Sequence, residues 1–249
     1  MKNLITLIIL LTTFLTLACN FDPGPGPSIK QQRTLANPEL TINKIPYKTR
    51  AYWMRQANLA LGHPCPFAAF GSVIVNHTSA GASSGNGLGE LVCVGRNVGG
   101  LSGNPVMHGE ITAITNCSQI LTSPDGPYRL SPTQALAAFV DLTLYTNAES
   151  CPMCASAIRW AGFKEYVYGT SIDELVEKGW GQIRISSAEV FERSWDLPSH
   201  TKIIGDVLAN ETSGWFSWQF NQGAECPSGC RRGADGDDER GLGCKPVEL

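Results

Sequence analysis

Two short motifs, His108-Gly109-Glu110 and Cys151-Pro152-Met153-Cys154, each open a stretch with helical spacing. After the first, Glu110, Ile114, Cys117 and Leu121 fall on one stripe of a helix over 108–121. After the second, residues 151–160 read as a helix that Gly162 caps at its C-terminal end. Cysteines at i and i+3 share a helix face, and a helix start favours their thiolate form through its dipole and unpaired N–H groups. His108, Cys151 and Cys154 together offer an imidazole and two thiolates. Three protein ligands leave a tetrahedral zinc one open position for water, which is the arrangement of catalytic rather than structural sites. Glu110 points away from the ligand direction of His108 and is placed for proton transfer. A carboxylate there can take protons from an activated water and hand them in turn to a ring nitrogen and a departing amine.

The surrounding pattern predicts an α/β fold. Ala51, Met54, Asn58 and Leu61 lie on one face of a helix over 47–61, ended by Gly62 and Pro64. The β-branched runs at 71–75 and 91–95 form a hairpin across the Gly/Ser-rich loop 79–89. Further strands are predicted at 138–145, 165–169 and 202–204, with helices at 172–178 and 187–194. This order predicts a three-layer α/β/α fold around a central mixed five-stranded sheet. Trp160 reads as core or pocket wall, and His63, His77 and His200 as ordinary surface or loop residues.

With these residues in view, the chain resembles the cytidine and deoxycytidylate deaminase superfamily of zinc enzymes, whose signature pairs His-x-Glu with Pro-Cys-x-x-Cys. Residues 151–160 and Tyr166-Val167-Tyr168-Gly169-Thr170 are similar to the branch that holds guanine deaminases and tRNA adenosine deaminases. The likeness covers residues 47–171 and includes the 70–75 strand, the Gly95-Arg96-Asn97 turn and the Asn104–Met107 approach to the metal helix. It implies zinc as cofactor, Glu110 as proton shuttle, Asn97 as a substrate contact and a homodimer whose partner helps close the pocket. It also implies that the backbone N–H of Cys151 helps hold the developing charge and that the last two strands run parallel. Asn97 also suits a turn-stabilising role, and Phe70 either stacks on a base or packs in the core. Ser150 stands where the family usually has proline, and Gly109 where it has alanine or valine. Ser150 is an ordinary helix cap, so neither departure removes a ligand.

A formal charge of -3 and the absence of a long Lys/Arg run favour a small-molecule nucleobase or nucleoside over nucleic acid. Residues 1–18 read as a signal peptide, with no membrane span left after cleavage, and imply a secreted, extracellular protein. Leu17-Ala18-Cys19 also fits, with Thr16 as a poor match, a lipoprotein box in which Cys19 is lipidated. Sequons at Asn76, Asn116 and Asn210 suit a glycoprotein but decide little. Residues 19–46 read as an extended leader, 47–205 as the deaminase domain and 206–249 as a cysteine-containing tail with a solvated charge run at 235–240. Of nine cysteines, six remain once Cys19 and the two metal ligands are set aside, an even set for disulfides of undetermined pairing, with Cys93 equally suited to a free core position.

The expected chemistry is hydrolytic deamination, with guanine or a related purine as the favoured substrate. Two other readings stay open: a secreted, disulfide-stabilised zinc scaffold without turnover, and an adenosine or cytidine deaminase acting on nucleic acid. Glu110 weighs against the scaffold, which has no use for that carboxylate.

Overall fold

A computed structural model describes residues 33–35, 37–78, 87–233 and 243–247. The predicted signal peptide, Cys19, most of the leader, the tip of the 79–89 loop and the 235–240 charge run lie outside the described residues. The described residues form one compact unit.

Among the described residues, strands follow in the order β1 (Thr34–Leu35), β2 (Thr41–Ile42), β3 (Ile45–Pro46), β4 (Gly71–Asn76), β5 (Glu90–Arg96), β6 (Leu142–Ala148), β7 (Glu165–Thr170), β8 (Lys202–Gly205), β9 (Cys230–Arg232) and β10 (Cys244–Pro246). Six of them make one mixed sheet, ordered β1-β8-β7-β6-β4-β5. It contains the five predicted strands and adds β1, which pairs parallel to β8 from within the segment read as leader. Two residues are too few to show a period. β4 is antiparallel to both β5 and β6, whereas β6, β7 and β8 run parallel, as expected for the last two.

Alternation along the strands separates two cores. Val73, Val75, Tyr145 and Val167 meet Ala51, Trp53, Met54 and Ala57 of the Tyr47–Leu59 helix on one face. Ile74, Leu144, Tyr166 and Tyr168 meet Ala113, Cys117, Ala155, Ile158 and Phe191 on the other. The helices Gly109–Thr122 and Pro152–Ala161, which carry the two motifs, therefore lie side by side on one face. Gly95 sets the depth of the first: a Cβ there would collide with the backbone of Gly109 and Ala113. Gly162, at φ 78°, ends the second helix as predicted.

A second element also differs from the sequence expectation. The strand predicted at 138–145 starts at Leu142, and residues before it form a Pro132–Ala138 helix and a turn at Phe139–Asp141. Ser131 and Gln134 cap that helix reciprocally.

All six remaining cysteines are paired: Cys65–Cys230, Cys93–Cys117 and Cys226–Cys244. Cys93 is thus not a free core residue. The Cys65–Cys230 bond spans 165 residues of sequence and ties the loop after the first helix to the C-terminal segment. Within that segment Phe216 and Trp218 are buried. Among the described residues, no helix is long and apolar enough to cross a membrane.

His77 is not an ordinary surface residue. Its Nε2 hydrogen-bonds the buried Tyr145 hydroxyl at 2.9 Å. Burial, outweighing the nearby Glu165, lowers its pKa from 6.5 to about 4. The unfolded chain therefore binds a proton that the folded one rejects between those values, so this contribution is complete above pH 6.5 and is lost as pH falls towards 4. Urea unfolding at pH 7 and pH 4.5 is expected to show a loss on the order of 2 kcal/mol that is absent from His77→Asn. An equal acid loss in both proteins would contradict the assignment.

Candidate active site

Both motifs act through the first residues of their helices. His108 is the N-cap of the 109–122 helix, with φ -69° and ψ 168°, and Cys151 is the N-cap of the 152–161 helix, with φ -61° and ψ 164°. Extended backbone at each cap turns the side chain off the helix axis, towards the other motif. Pro152 at the first helical position needs no N–H partner and stiffens the turn. The Ser150 N–H donates to the Tyr166 hydroxyl at 2.6 Å, which fixes the residue before the ligand to the neighbouring strand β7.

Cys151 Sγ and Cys154 Sγ each stand 3.6 Å from His108 Nδ1. All three donor atoms lie within 4.8 Å of one another. Bonds of about 2.3 Å to sulfur and about 2.0 Å to nitrogen, at tetrahedral angles, place those atoms about 3.6 Å apart. The donor set therefore has the chemistry and the edge lengths of a zinc site, and Zn2+ is its cofactor. Both sulfurs are reduced, unlike every other described cysteine. The cluster divides its protons unevenly. The Cys154 thiol, and after it His108, draw Cys151 down to about 4 against the effect of burial. Hydrogen bonding to Cys151, together with burial, pushes Cys154 up. The hydrogen bond to Cys151 likewise raises His108. A dication removes this competition because it stabilises both thiolates at once.

Glu110 sits beside the cluster, outside the donor set, and is only 5% exposed. Burial raises its pKa, with Ser150 and backbone hydrogen bonding opposing. It borders a cavity of about 250 Å3 that His108 and Cys151 also line. Phe70 and Asn97 line the same cavity, so the sequence-predicted site residues converge on one space, with Cys154 buried behind the rim. Asn97 is also a turn residue: its Oδ1 accepts from Gly99 N–H at 3.0 Å, which leaves its Nδ2 for the cavity. Phe70 packs as well as lines, tilted 33° against Phe216 and edge-on to Trp180, both at 5.0 Å. Trp160 belongs to neither wall nor core, being 76% exposed. A larger neighbouring cavity of about 610 Å3 shares Phe67, Ala68 and Asn97 but none of the metal donors, so it adjoins the chemistry without containing it.

Sequence reasoning missed the aromatic wall and Glu149. Trp180, Gly181 and Gln182 close one side of the cavity. Trp180 is held by Nε1–H donating to Phe216 O at 2.9 Å. The aromatic density of Trp215-Phe216-Ser217-Trp218-Gln219-Phe220 was a readable signal for a segment that must bury itself somewhere. Nothing local tells which surface it covers.

Residues 47–170 match the family model described as the cytidine and deoxycytidylate deaminase zinc-binding region. The chain is 32% identical over 122 residues to a guanine deaminase of Bacillus subtilis (strain 168), an overlap of 49% of this chain and 60% of that relative's length. Among solved structures, a guanine deaminase from Nitrosomonas europaea aligns at 15% identity and TM-score 0.45, over 78% of this chain and 92% of that one. A structure from a study of tRNA:A34 deaminases aligns at 17% identity and TM-score 0.42, over 66% of this chain and 98% of that one.

Proposed function

The chain belongs to the cytidine and deoxycytidylate deaminase superfamily, and from that premise we propose that it hydrolyses the exocyclic amine of a free nucleobase, guanine or a related purine, to release ammonia. The observation that carries this reading is Glu110: a buried carboxylate beside the Cys/Cys/His donor set, on the same cavity, and not itself one of the ligands. A scaffold that only held metal would gain nothing from burying that charge.

His108, Cys151 and Cys154 hold the metal. Zinc, when bound, supplies the Lewis acidity that makes water a nucleophile near neutral pH. Glu110 takes the water proton as the oxygen bonds to the amine-bearing ring carbon, and delivers a proton to the adjacent ring nitrogen. It then takes the second proton from the added hydroxyl and passes it to the amine as the C–N bond breaks, leaving a ring carbonyl and ammonia. Phe70 and Trp180, packed edge-on to each other, offer one apolar wall for a planar ring, and the Asn97 amide offers a donor to its edge.

The volume supports a small substrate, since about 250 Å3 lies below the roughly 300–1,000 Å3 of pockets for drug-sized ligands. The formal charge of -3 gives a phosphate backbone little to hold. The 32% identity to a guanine deaminase supports guanine first. Export to an oxidising compartment belongs to the same reading and is supported by the three disulfides.

The test is ammonia release by the zinc-loaded full chain from guanine, adenine and cytosine and from their nucleosides. Guanine is expected to have the highest kcat/KM. A nucleoside as best substrate would move the reading to a cavity that includes the neighbouring space.

A further inference from the structure

Glu149 lies two residues before the ligand Cys151, at the end of β6. Its side chain borders the cavity yet is 6% exposed, because both carboxylate oxygens are engaged elsewhere. Oε2 accepts from Ile172 N–H at 3.0 Å. Oε1 accepts from Ser187 N–H at 2.9 Å and from Ser187 Oγ–H at 2.6 Å. Ile172 and Ser187 are the first residues of the helices Ile172–Glu177 and Ser187–Arg193. The chain between those helices, residues 178–186, contributes Trp180, Gly181 and Gln182 to the cavity wall.

One carboxylate therefore ties both ends of the wall segment to the turn that carries the metal ligand. A carboxylate suits this place because it has two acceptor oxygens and no hydrogen, and because helix-start N–H groups lack partners within their own helix. An amide would keep one acceptor and turn its NH2 against the other N–H.

We propose that Glu149 is a positioning residue: through Ile172 and Ser187 it holds the 178–186 wall in register with Cys151 and so sets affinity for the base. The proposal rests on the reading of this cavity as the base pocket. Glu149 touches no reacting atom, and Cys151 keeps its own anchor through Ser150 and Tyr166. Substrate binding should therefore suffer more than turnover, and zinc should stay.

The experiment uses the full-length zinc-loaded protein with Glu149→Gln and Glu149→Ala, reading kcat and KM separately, zinc per chain, and hydrogen exchange across the molecule. Glu149→Gln is expected to raise KM about tenfold, the scale of one lost buried hydrogen bond. Glu149→Ala should raise it further, with kcat within about threefold of wild type for Gln, zinc retained, and faster exchange confined to residues 172–187. Faster exchange with unchanged KM would make Glu149 a purely structural tie and overturn the proposal. A fall in kcat with KM unmoved, or loss of zinc from the Gln variant, would overturn it as well. If the wild type turns over no base, the deaminase reading fails by itself, and equilibrium dialysis of guanine then decides this one. About tenfold weaker binding by Glu149→Gln supports the proposal, whereas equal binding, or none by the wild type, ends it.

Discussion

Replacing Glu110 with alanine is expected to lower kcat by at least about a thousandfold, within the range that general acid–base groups contribute, while the protein retains its zinc. Both parts of that result matter. Glu110 is outside the donor set, so its removal leaves His108, Cys151 and Cys154 in place. Its carboxylate is buried against the cluster, so its loss removes a charge that burial disfavours and should not unfold the domain. Glu110→Gln is the stricter variant, since it keeps the shape and loses only the proton chemistry; it should be as inactive as the alanine form. The check is steady-state ammonia release beside metal analysis of the same samples. Activity within tenfold of wild type in the Gln variant would remove Glu110 from the mechanism.

The second large effect concerns the ligands. Cys154→Ser leaves one thiolate and one imidazole, too few to hold zinc against competing chelators, and both zinc and activity are expected to be lost together. Because the metal binds the folded chain, its loss is also a loss of stability. At free zinc about a thousand times Kd the difference is about 4 kcal/mol. Thermal unfolding of the wild type should thus shift downward on adding a chelator, while Cys154→Ser, already without zinc, should show no further shift. The three disulfides are spectators here, since none includes a ligand. A chelator response preserved in Cys154→Ser would mean that the metal sits elsewhere.

The parts of this molecule that were legible in the sequence are those encoded over a few residues. The two helix starts were visible as His-x-Glu and Cys-x-x-Cys, and the structure brings their donor atoms within 4.8 Å. Short runs of β-branched or aromatic residues beside turns marked β4, β5, β7 and β8. The start of β6 was hidden because the apolar run Ala135-Leu136-Ala137-Ala138-Phe139-Val140 leads into it without a polar break before Asp141. The preceding helix was announced by Ser131-Pro132-Thr133-Gln134, a local signal that the alanine-rich run after it obscured. Long-range pairings were illegible for a different reason. Cys65 meets Cys230, and Phe70 meets Phe216, only because the chain returns over its own pocket, and no spacing encodes that return. Glu149 was passed over for the same cause: its partners, Ile172 and Ser187, are remote in sequence.

The most direct measurement is guanine turnover by the zinc-loaded full chain in 18O-labelled water, with ammonia counted and the product weighed. One ammonia per base consumed and one labelled oxygen in each product are expected, both lost in Glu110→Ala. A protein that holds a full complement of zinc and yet releases no ammonia from any nucleobase would contradict the deaminase reading.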